Sequence, residues 1–287
     1  MKVDIVMPAF NEEKAIGTVI KDIKKSMKGK KYKYQIVVID DGSTDNTVTI
    51  AKKLGARIIQ NEVRMGSGFS RKKAIRLSTS DVVVMIDADG TYPAKDIPKI
   101  LSYFPKYDQV IGARKKETGT FRIFRSFAKN IIKALASYLA GIRIPDLNTG
   151  LRAFKTSIMK KYIYIVPNGF SGVSTMTLIF LLDDYKVKFV PIEYYKRIGK
   201  SKFRFFADTL SYLETVIRII INFKPLKVFL PFGLFLLFAG IIKVFIEVLF
   251  WVGYIQQSSI LIILTSLIVF SIGFLADLIV TTGKKNE

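Results

Sequence analysis

Four short apolar runs within residues 1–90 constrain the fold of this chain most strongly. They are Val3–Met7, Gln35–Ile39, Ala56–Gln60 and Val82–Ile86. Runs of this length that are rich in β-branched residues are typical of strands. The segment after the first run has helical spacing of its apolar residues, which are Ala15, Ile16, Val19, Ile20 and Ile23. This alternation predicts an α/β fold in which a mostly parallel sheet carries helices on both faces.

Polar clusters follow three of these runs, at the points where the predicted strands end. The clusters are Asn11–Glu13, Asp40 with Asp41, and Asp87 with Asp89. Each cluster alone fits a capped turn, and Ser43–Asp45 are suitable capping residues for the helix that follows them. In open parallel sheets, however, ligands bind outside the carboxyl ends of the strands. The three clusters together therefore predict a binding site at that edge.

Asp87 and Asp89 are the strongest candidates for a metal site. They stand two residues apart after a buried run, and Gly90 completes a turn. Two carboxylates placed in this way can converge on one Mg²⁺ or Mn²⁺, which usually completes its shell with waters and substrate phosphate oxygens. The pair therefore indicates a phosphate-bearing ligand.

Composition excludes several kinds of chemistry. The chain has no cysteine and no histidine, so thiol catalysis, disulfides, Cys/His zinc sites and a histidine base are excluded. A dinucleotide dehydrogenase is disfavoured because no G-x-G-x-x-G follows the first run. Residues 226–287 hold four lysines against three acidic residues, so nearly all of the net charge of +22 lies in residues 1–225. With no nucleic-acid motif present, this charge predicts attraction to anionic membrane lipids rather than to nucleic acid.

Two long apolar runs near the carboxyl terminus predict transmembrane helices. Residues 228–250 and 260–281 each exceed the length of about 20 residues that a hydrocarbon core requires. The loop between them is uncharged and lysines flank the outer ends, so the positive-inside rule places both termini and the soluble domain in the cytoplasm. Lys243 lies near the far interface, where Glu247 one turn later can pair with it. The predicted spans also provide a surface through which a homo-oligomer could form.

The region before the spans contains two candidate interfacial helices. Residues 121–142 interleave apolar and basic side chains, and residues 208–223 form a second amphipathic segment. An ordinary core helix with a basic outer face fits 121–142 equally well. We therefore expect a catalytic domain over 1–205, a juxtamembrane helix over 206–225 and an anchor over 226–287.

Several motifs resemble one enzyme family. They are VMPAFNEE at 6–13, DDGSTD at 40–45, DADG at 87–90, GAR at 112–114, DLNTGLRAF at 146–154 and RIGKSK at 197–202. In this order and spacing they are similar to the family 2 glycosyltransferases with the GT-A (Rossmann-like) fold, in the branch of the dolichyl-phosphate mannose synthases. The resemblance covers about residues 3–205.

The resemblance implies roles for individual residues. Pro8, Phe10, Glu12 and Asp40 would hold the donor nucleoside, and Asp87 and Asp89 would hold Mg²⁺ or Mn²⁺ on its diphosphate. The family pattern has Gln as a third metal ligand where this chain has Thr91, whose hydroxyl can also ligate a hard cation.

Basic residues would complete the site in this scheme. Arg197 and Lys202 would bind the donor diphosphate. Other arginines would bind an acceptor phosphate through pairs of parallel hydrogen bonds. The acceptor candidates are Arg114, Arg122, Arg125 and Arg152. Asp89, Arg114 and Arg197 would be the catalytic residues.

Two classes of function follow. The favoured one is metal-dependent, inverting transfer of a sugar from a nucleotide donor of the GDP-mannose or UDP-glucose type to a membrane polyprenyl (dolichyl) phosphate. A phosphate acceptor is already anionic near neutral pH, so a chain without histidine needs no strong base. The alternative is a membrane-anchored, non-catalytic protein whose basic face binds anionic lipid or a partner. A processive polysaccharide synthase is less favoured because two spans offer little material for a channel.

Overall fold

The computed structural model describes residues 1–115, 133–134, 136–138, 140–169, 171–196, 215, 217–219, 221–251 and 253–285. The chain divides into two compact units, Met1–Val216 and Ile217–Glu287. The predicted boundary at residue 205 and most of both predicted interfacial helices lie outside the described residues.

The first unit is built on a seven-stranded mixed sheet. In chain order its strands are β1 Lys2–Ala9, β2 Lys33–Asp40, β3 Arg57–Gln60, β4 Val82–Met85, β5 Gln109–Arg114, β6 Arg152–Lys155 and β7 Val187–Ile192. The order across the sheet is β3-β2-β1-β4-β6-β5-β7. Only β6 runs antiparallel to its neighbours β4 and β5 among the described strands. The predicted mostly parallel α/β sheet is confirmed.

Helices connect these strands. They are α1 Glu13–Met27, α2 Thr47–Lys53, α3 Ser67–Leu77, a 3₁₀ turn Ala94–Asp96, α4 Ile97–Leu101, α5 Thr156–Lys161 and α6 Gly172–Leu182. The apolar stripe predicted for α1 is buried along its length. Together with Val3, Ile5 and Met7 of β1 it forms the main core cluster.

Both faces of the central strands are covered. Val6, Val37 and Val83, which alternate with the residues facing α1, are also buried. Helix α3 contacts β1 and β2 on that side. The parallel register pairs Ala9 with Asp40 and Val6 with Met85, so the carboxyl ends of β1, β2 and β4 lie at one edge of the sheet.

The second unit contains a helical hairpin of α7 Leu226–Ile246, a π-helical turn Glu247–Trp251 and α8 Gln257–Lys285. Two segments, Leu226–Phe250 and Gln257–Gly283, are long and apolar enough to cross a membrane. Small residues let the helices approach closely: a Cβ on Gly233 would lie 2.7 Å from the Phe270 ring, and one on Gly240 equally near Ile263. The predicted pairing of Lys243 with Glu247 is confirmed.

Candidate active site

An open cleft lies where β1, β2 and β4 end. Its lining comes from four segments: the turn after β1, the end of β2, the start of α3 and the turn after β4. The residues are Pro8, Ala9, Phe10, Glu12, Asp41, Arg64, Gly66, Ser67, Arg71, Asp87, Ala88 and Asp89. The structure thus brings together the three polar clusters that follow the strands in the sequence.

Asp87 is held from two sides. The Arg71 guanidinium, on α3, donates to Asp87 Oδ1 at 2.8 Å, and the Arg71 side chain is only 7% exposed. On the other side, a Cβ at position 150 would lie 2.3 Å from Asp87 Oδ2, so only glycine fits there. The backbone N–H of Gly150 donates to Tyr92 Oη at 2.7 Å. This packing fixes the orientation of the first carboxylate.

Asp89 is held by its own turn. Its Oδ1 accepts hydrogen bonds from Thr91 Oγ1 at 2.6 Å and from the Thr91 backbone N–H at 3.1 Å. Thr91 itself is buried, and its carbonyl accepts from the Tyr195 N–H. The residue predicted as a third metal ligand therefore directs its hydroxyl proton to the second carboxylate.

The turn after β1 is fastened to the loop after β2. The backbone N–H groups at the start of α1 lack hydrogen-bond partners within the helix. Side chains that follow β2 accept hydrogen bonds from them. Glu12 N donates to Thr47 Oγ1 at 2.8 Å, and Glu13 N donates to Asp45 Oδ2 at 3.1 Å. Asp45 also accepts from Thr47 N at 3.0 Å, although the N-cap position of α2 is occupied by Asn46, whose side chain does not cap the helix. This arrangement fixes the loop that carries Phe10.

Asp40 and Asp41 have different positions although they are adjacent. Asp40 is almost fully buried, and its carboxylate accepts from Ser43 N at 3.2 Å. Asp41 lines the cleft and accepts from Met65 N at 3.0 Å and Gly66 N at 2.9 Å. Asp41 thereby anchors the loop between β3 and α3.

Arg114, the last residue of β5, contacts Asp146 and Tyr194. Its Nε and Nη2 donate to the two oxygens of Asp146 at 2.6 and 2.9 Å, and its guanidinium lies 5.1 Å from the Tyr194 ring centroid. Burial alone would raise the pKa of Asp146, but the hydrogen bonds and charge of Arg114 outweigh it and the pKa is lowered. Tyr194 in turn packs edge-on against Tyr92, with ring centroids 5.2 Å apart.

Arg152 is completely buried in β6. It donates to the carbonyl oxygens of Thr149 and Val173 and to Thr177 Oγ1, at 2.6 to 3.2 Å. Burial, with a further contribution from the charge of Arg71, lowers its pKa to about 10, so it stays protonated near neutral pH. This position gives Arg152 a structural role and does not support its predicted contact with an acceptor phosphate. Four other predicted residues, Arg122, Arg125, Arg197 and Lys202, lie outside the described residues.

Sequence reasoning missed Arg64, Arg71 and, as a cleft residue, Asp41. Arg71 falls on the helix after a polar, glycine-containing loop that itself follows a strand end, and this placement was the one available signal. Nothing local distinguishes Arg64 from the other basic residues of the chain. Asp41 could have been separated from Asp40 only by knowing which side of β2 faces the loop.

The site fits a hard divalent cation. No group of three or more His, Cys, Asp or Glu side chains gathers anywhere in the described part of the chain. The donor set is instead the two carboxylates of Asp87 and Asp89, which line one cleft. Mg²⁺ bound through one or two carboxylates, with waters and phosphate oxygens as the other ligands, matches such a set.

Two family models match the chain. The model described as glycosyl transferase family 2 matches residues 4–164. The model described as the GtrB C-terminal hairpin matches residues 224–281. The two matches correspond to the sheet-bearing unit and to the apolar helical hairpin.

Similar proteins and structures agree with this assignment. A dolichyl-phosphate hexose transferase of Haloferax volcanii is 33% identical over 217 residues, covering 75% of this chain and 92% of that protein. A dodecaprenyl-phosphate galacturonate synthase of Rhizobium johnstonii is 26% identical over 56% of this chain and 50% of its own. Glucosyl-3-phosphoglycerate synthase of Mycobacterium tuberculosis with Mn²⁺, UDP-glucose and phosphoglyceric acid shares the fold, with a TM-score of 0.62 at 18% identity over 76% of this chain and 79% of that one. The chain belongs to glycosyl transferase family 2.

Proposed function

We propose that this protein transfers a sugar, with inversion, from a nucleotide diphosphate donor of the GDP-mannose or UDP-glucose type to a membrane polyprenyl (dolichyl) phosphate. The observation that carries the proposal is that Asp87 and Asp89 line the same cleft as Pro8, Phe10 and Glu12. The cleft then offers both carboxylates for a metal-bound diphosphate and an aromatic face for a nucleoside. The Haloferax relative is a dolichyl-phosphate hexose transferase, which agrees with this acceptor class.

The donor nucleoside is held by the turn after β1. Pro8 and Phe10 supply apolar contacts, and the Glu12 carboxylate accepts hydrogen bonds from the nucleoside. Asp40 supports this end by closing the turn at Ser43, while Asp41 is the carboxylate that reaches the cleft. Asp40 therefore acts on the nucleoside through the loop it shapes.

Mg²⁺ or Mn²⁺ at Asp87 and Asp89 would neutralise the charge that develops on the leaving diphosphate. The chain itself keeps these two carboxylates oriented. Arg71 holds Asp87, and Thr91 holds Asp89. Arg197 and Lys202 are proposed as further cations for the diphosphate.

The acceptor needs no strong base because its phosphate oxygen is already anionic. Arg122 and Arg125 are the proposed cations for that phosphate. Arg114 makes two hydrogen bonds to Asp146, and we propose that it acts on the reaction through Tyr194, which packs against Tyr92 in the segment after Asp89. The apolar hairpin would hold the protein at the bilayer that contains the lipid acceptor. The cytosolic side carries the soluble unit and both termini in this proposal, and a homo-oligomer through the hairpin is compatible with it.

Release of nucleoside diphosphate by the full chain in lipid nanodiscs tests the proposal. We expect release only when a nucleotide sugar, Mg²⁺ or Mn²⁺ and a polyprenyl phosphate are all present. Asp89→Asn should lower the rate by at least about 100-fold, because a carboxylate that holds the metal is lost. Asp22→Asn, at an exposed position of α1, is the matched control and should leave the rate unchanged. Full activity of Asp89→Asn, or full activity with metal chelated, would overturn the mechanism.

Two other functions are outcomes of the same assay. A membrane-anchored binding protein would bind anionic vesicles and release no nucleoside diphosphate with any donor. A processive synthase would give a product whose mass grows by many sugars per lipid. We expect one sugar per polyprenyl phosphate.

A further inference from the structure

Arg152 occupies a fully buried position beside the turn after β4 that carries Asp87 and Asp89. It is the first residue of β6, which runs antiparallel to β4, and it pairs there with Met85, two residues before Asp87. A guanidinium is costly to bury unless its hydrogen-bond donors find partners. The partners described for Arg152 are two carbonyl oxygens and one hydroxyl. Neutral groups therefore hold this cation in place.

This arginine joins the loop before β6 to helix α6. Its Nε and Nη2 both donate to the Thr149 carbonyl oxygen, at 3.2 and 2.7 Å. Its Nη1 donates to the Val173 carbonyl oxygen at 2.6 Å and to Thr177 Oγ1 at 2.8 Å, and both acceptors belong to α6. Because the guanidinium donors form a rigid planar fork, one side chain fixes the distance between the loop and the helix.

The loop that Arg152 holds packs against Asp87. Thr149 is followed by Gly150, where an added Cβ would lie 2.3 Å from Asp87 Oδ2, so the backbone leaves no room for a side chain between them. Since Arg152 fixes the Thr149 carbonyl, it also fixes the Gly150 backbone beside the carboxylate. A shift of this loop would let the Asp87 carboxylate rotate away from the cleft that it lines together with Asp89.

We propose that Arg152 is a positioning residue that sets the affinity of the site for its divalent cation, by holding Thr149 and Gly150 against Asp87. The proposal rests on the proposed function, since it assumes that Asp87 and Asp89 hold that ion. Arg152 acts through the Gly150 backbone and touches neither the ion nor the substrate. Its action differs from that of Arg71, which binds the same carboxylate directly.

Mn²⁺ binding tests the assignment without requiring sugar transfer. The full chain in phosphatidylcholine nanodiscs is titrated with Mn²⁺, and the free ion is measured by its EPR signal. The binding that Asp87→Asn removes is the binding at the site. We expect Arg152→Lys, which keeps the charge but loses the planar fork, to weaken that binding by about 10-fold or more, as when other groups that orient a metal ligand are lost. Thr177→Val removes a single hydrogen bond of Arg152 and should weaken binding by about threefold.

A double variant shows whether Arg152 acts through Gly150. Gly150→Ala places a methyl group against Asp87 and should by itself weaken Mn²⁺ binding. If both residues act on the carboxylate by the same route, Arg152→Lys should weaken binding much less in the Gly150→Ala background than in wild type. The matched control is Lys155→Gln, at the other end of β6, which breaks the ion pair with Asp108. This variant should lower Tm slightly and leave Mn²⁺ affinity unchanged.

Wild-type Mn²⁺ affinity in both Arg152→Lys and Thr177→Val would overturn the inference. If circular dichroism shows that Arg152→Lys does not fold, Thr177→Val alone decides. An equal loss of affinity in Lys155→Gln would also overturn it, because the effect would then be one of general stability, and so would full additivity of Arg152→Lys with Gly150→Ala. Failure of wild-type protein to bind Mn²⁺ at Asp87 would overturn the metal site of the proposed function as well, whereas normal binding that does not depend on Arg152 would overturn this inference alone.

Discussion

Thr91 Oγ1 lies 2.6 Å from Asp89 Oδ1 and donates a hydrogen bond to it, and the Thr91 backbone N–H donates to the same oxygen. The turn therefore satisfies one oxygen of the carboxylate before any ligand arrives. In the family pattern this position carries a metal-ligating glutamine, but here the hydroxyl acts on the carboxylate itself. Thr91 is accordingly a positioning residue for Asp89.

Removing this hydroxyl should impair the reaction without unfolding the turn. We expect Thr91→Val to lower kcat by about 10- to 100-fold, the usual cost of losing a group that orients a metal-binding side chain. Thr91→Ser keeps the hydroxyl and should retain most of the activity. Steady-state rates measured across a range of Mg²⁺ concentrations provide the test. Wild-type kcat in Thr91→Val would contradict the positioning role.

Arg71 should matter to both stability and activity, because its buried guanidinium is bound to Asp87. Arg71→Gln leaves Asp87 without its cation, and Asp87 is about a third exposed, so the cost to folding is moderate at about 1–3 kcal/mol. The catalytic rate should fall by more than the loss of folding stability explains, because the Asp87 carboxylate loses its fixed orientation. Thermal unfolding by circular dichroism and rates at saturating metal separate the two effects. The matched control is Arg76→Gln, an exposed arginine on the same helix; equal losses in both variants would contradict the assignment.

The ion pair of Arg114 with Asp146 should contribute stability that depends on pH. The pKa of Asp146 is lowered in the folded protein, so its stabilising effect is present above the ordinary Asp pKa of about 3.9 and is lost as pH falls through the lower folded value. Asp146→Asn should therefore lower Tm at pH 7, and the difference from wild type should shrink as pH drops below about 3.9. Tm measured from pH 7 to pH 3 checks this. A difference in Tm between Asp146→Asn and wild type that grows as the pH falls would contradict the predicted direction.

The architecture of the sheet was predictable because short β-branched runs mark the strands and helical spacing of apolar residues marks the helix that follows the first of them. Parallel strands place their carboxyl ends at one edge, so the convergence of the polar clusters that follow β1, β2 and β4 could be predicted from topology alone, although not which of Asp40 and Asp41 lines the cleft. The antiparallel β6 was not predictable, because two of its four residues are charged and the first of them, Arg152, would be expected at the surface. That side chain, Arg152, is buried because the carbonyl of Val173 and the hydroxyl of Thr177, both on α6, accept hydrogen bonds from it.

The cations of the cleft were the hardest part of the site to predict. A basic residue on the surface and one in a cleft have the same local pattern, and the chain has 45 lysines and arginines. Arg71 is identified only by its contact with Asp87, and Arg64 only by its contact with Phe10. Both contacts join residues that are far apart in the chain, and local sequence spacing does not encode the packing that forms them. For Arg71 the only local signal is its position on the helix that follows a polar, glycine-containing loop.

The helical hairpin contains a polar network that should control its stability. Glu247 is almost fully buried and forms an ion pair with Lys243; it also accepts from Ser259 Oγ at 2.6 Å and from Gln256 N at 3.2 Å. Lys243 Nζ contacts Ser258 Oγ at 2.7 Å as well. The network joins the end of α7 to the start of α8, so it holds the turn of the hairpin closed.

Removing the charge of Glu247 should leave Lys243 without its counter-charge in a largely apolar hairpin. We expect Glu247→Gln to destabilise the protein, measured as a lower temperature of aggregation in detergent. Replacing both Lys243 and Glu247 with Leu should cost less than the sum of the single Leu variants, because no unpaired charge remains. Thr265→Val, at an exposed position of α8 whose hydroxyl bonds only to a carbonyl of its own helix in the described structure, is the control and should match wild type. Additive losses in the double variant would show that the two charges act independently and would contradict the network.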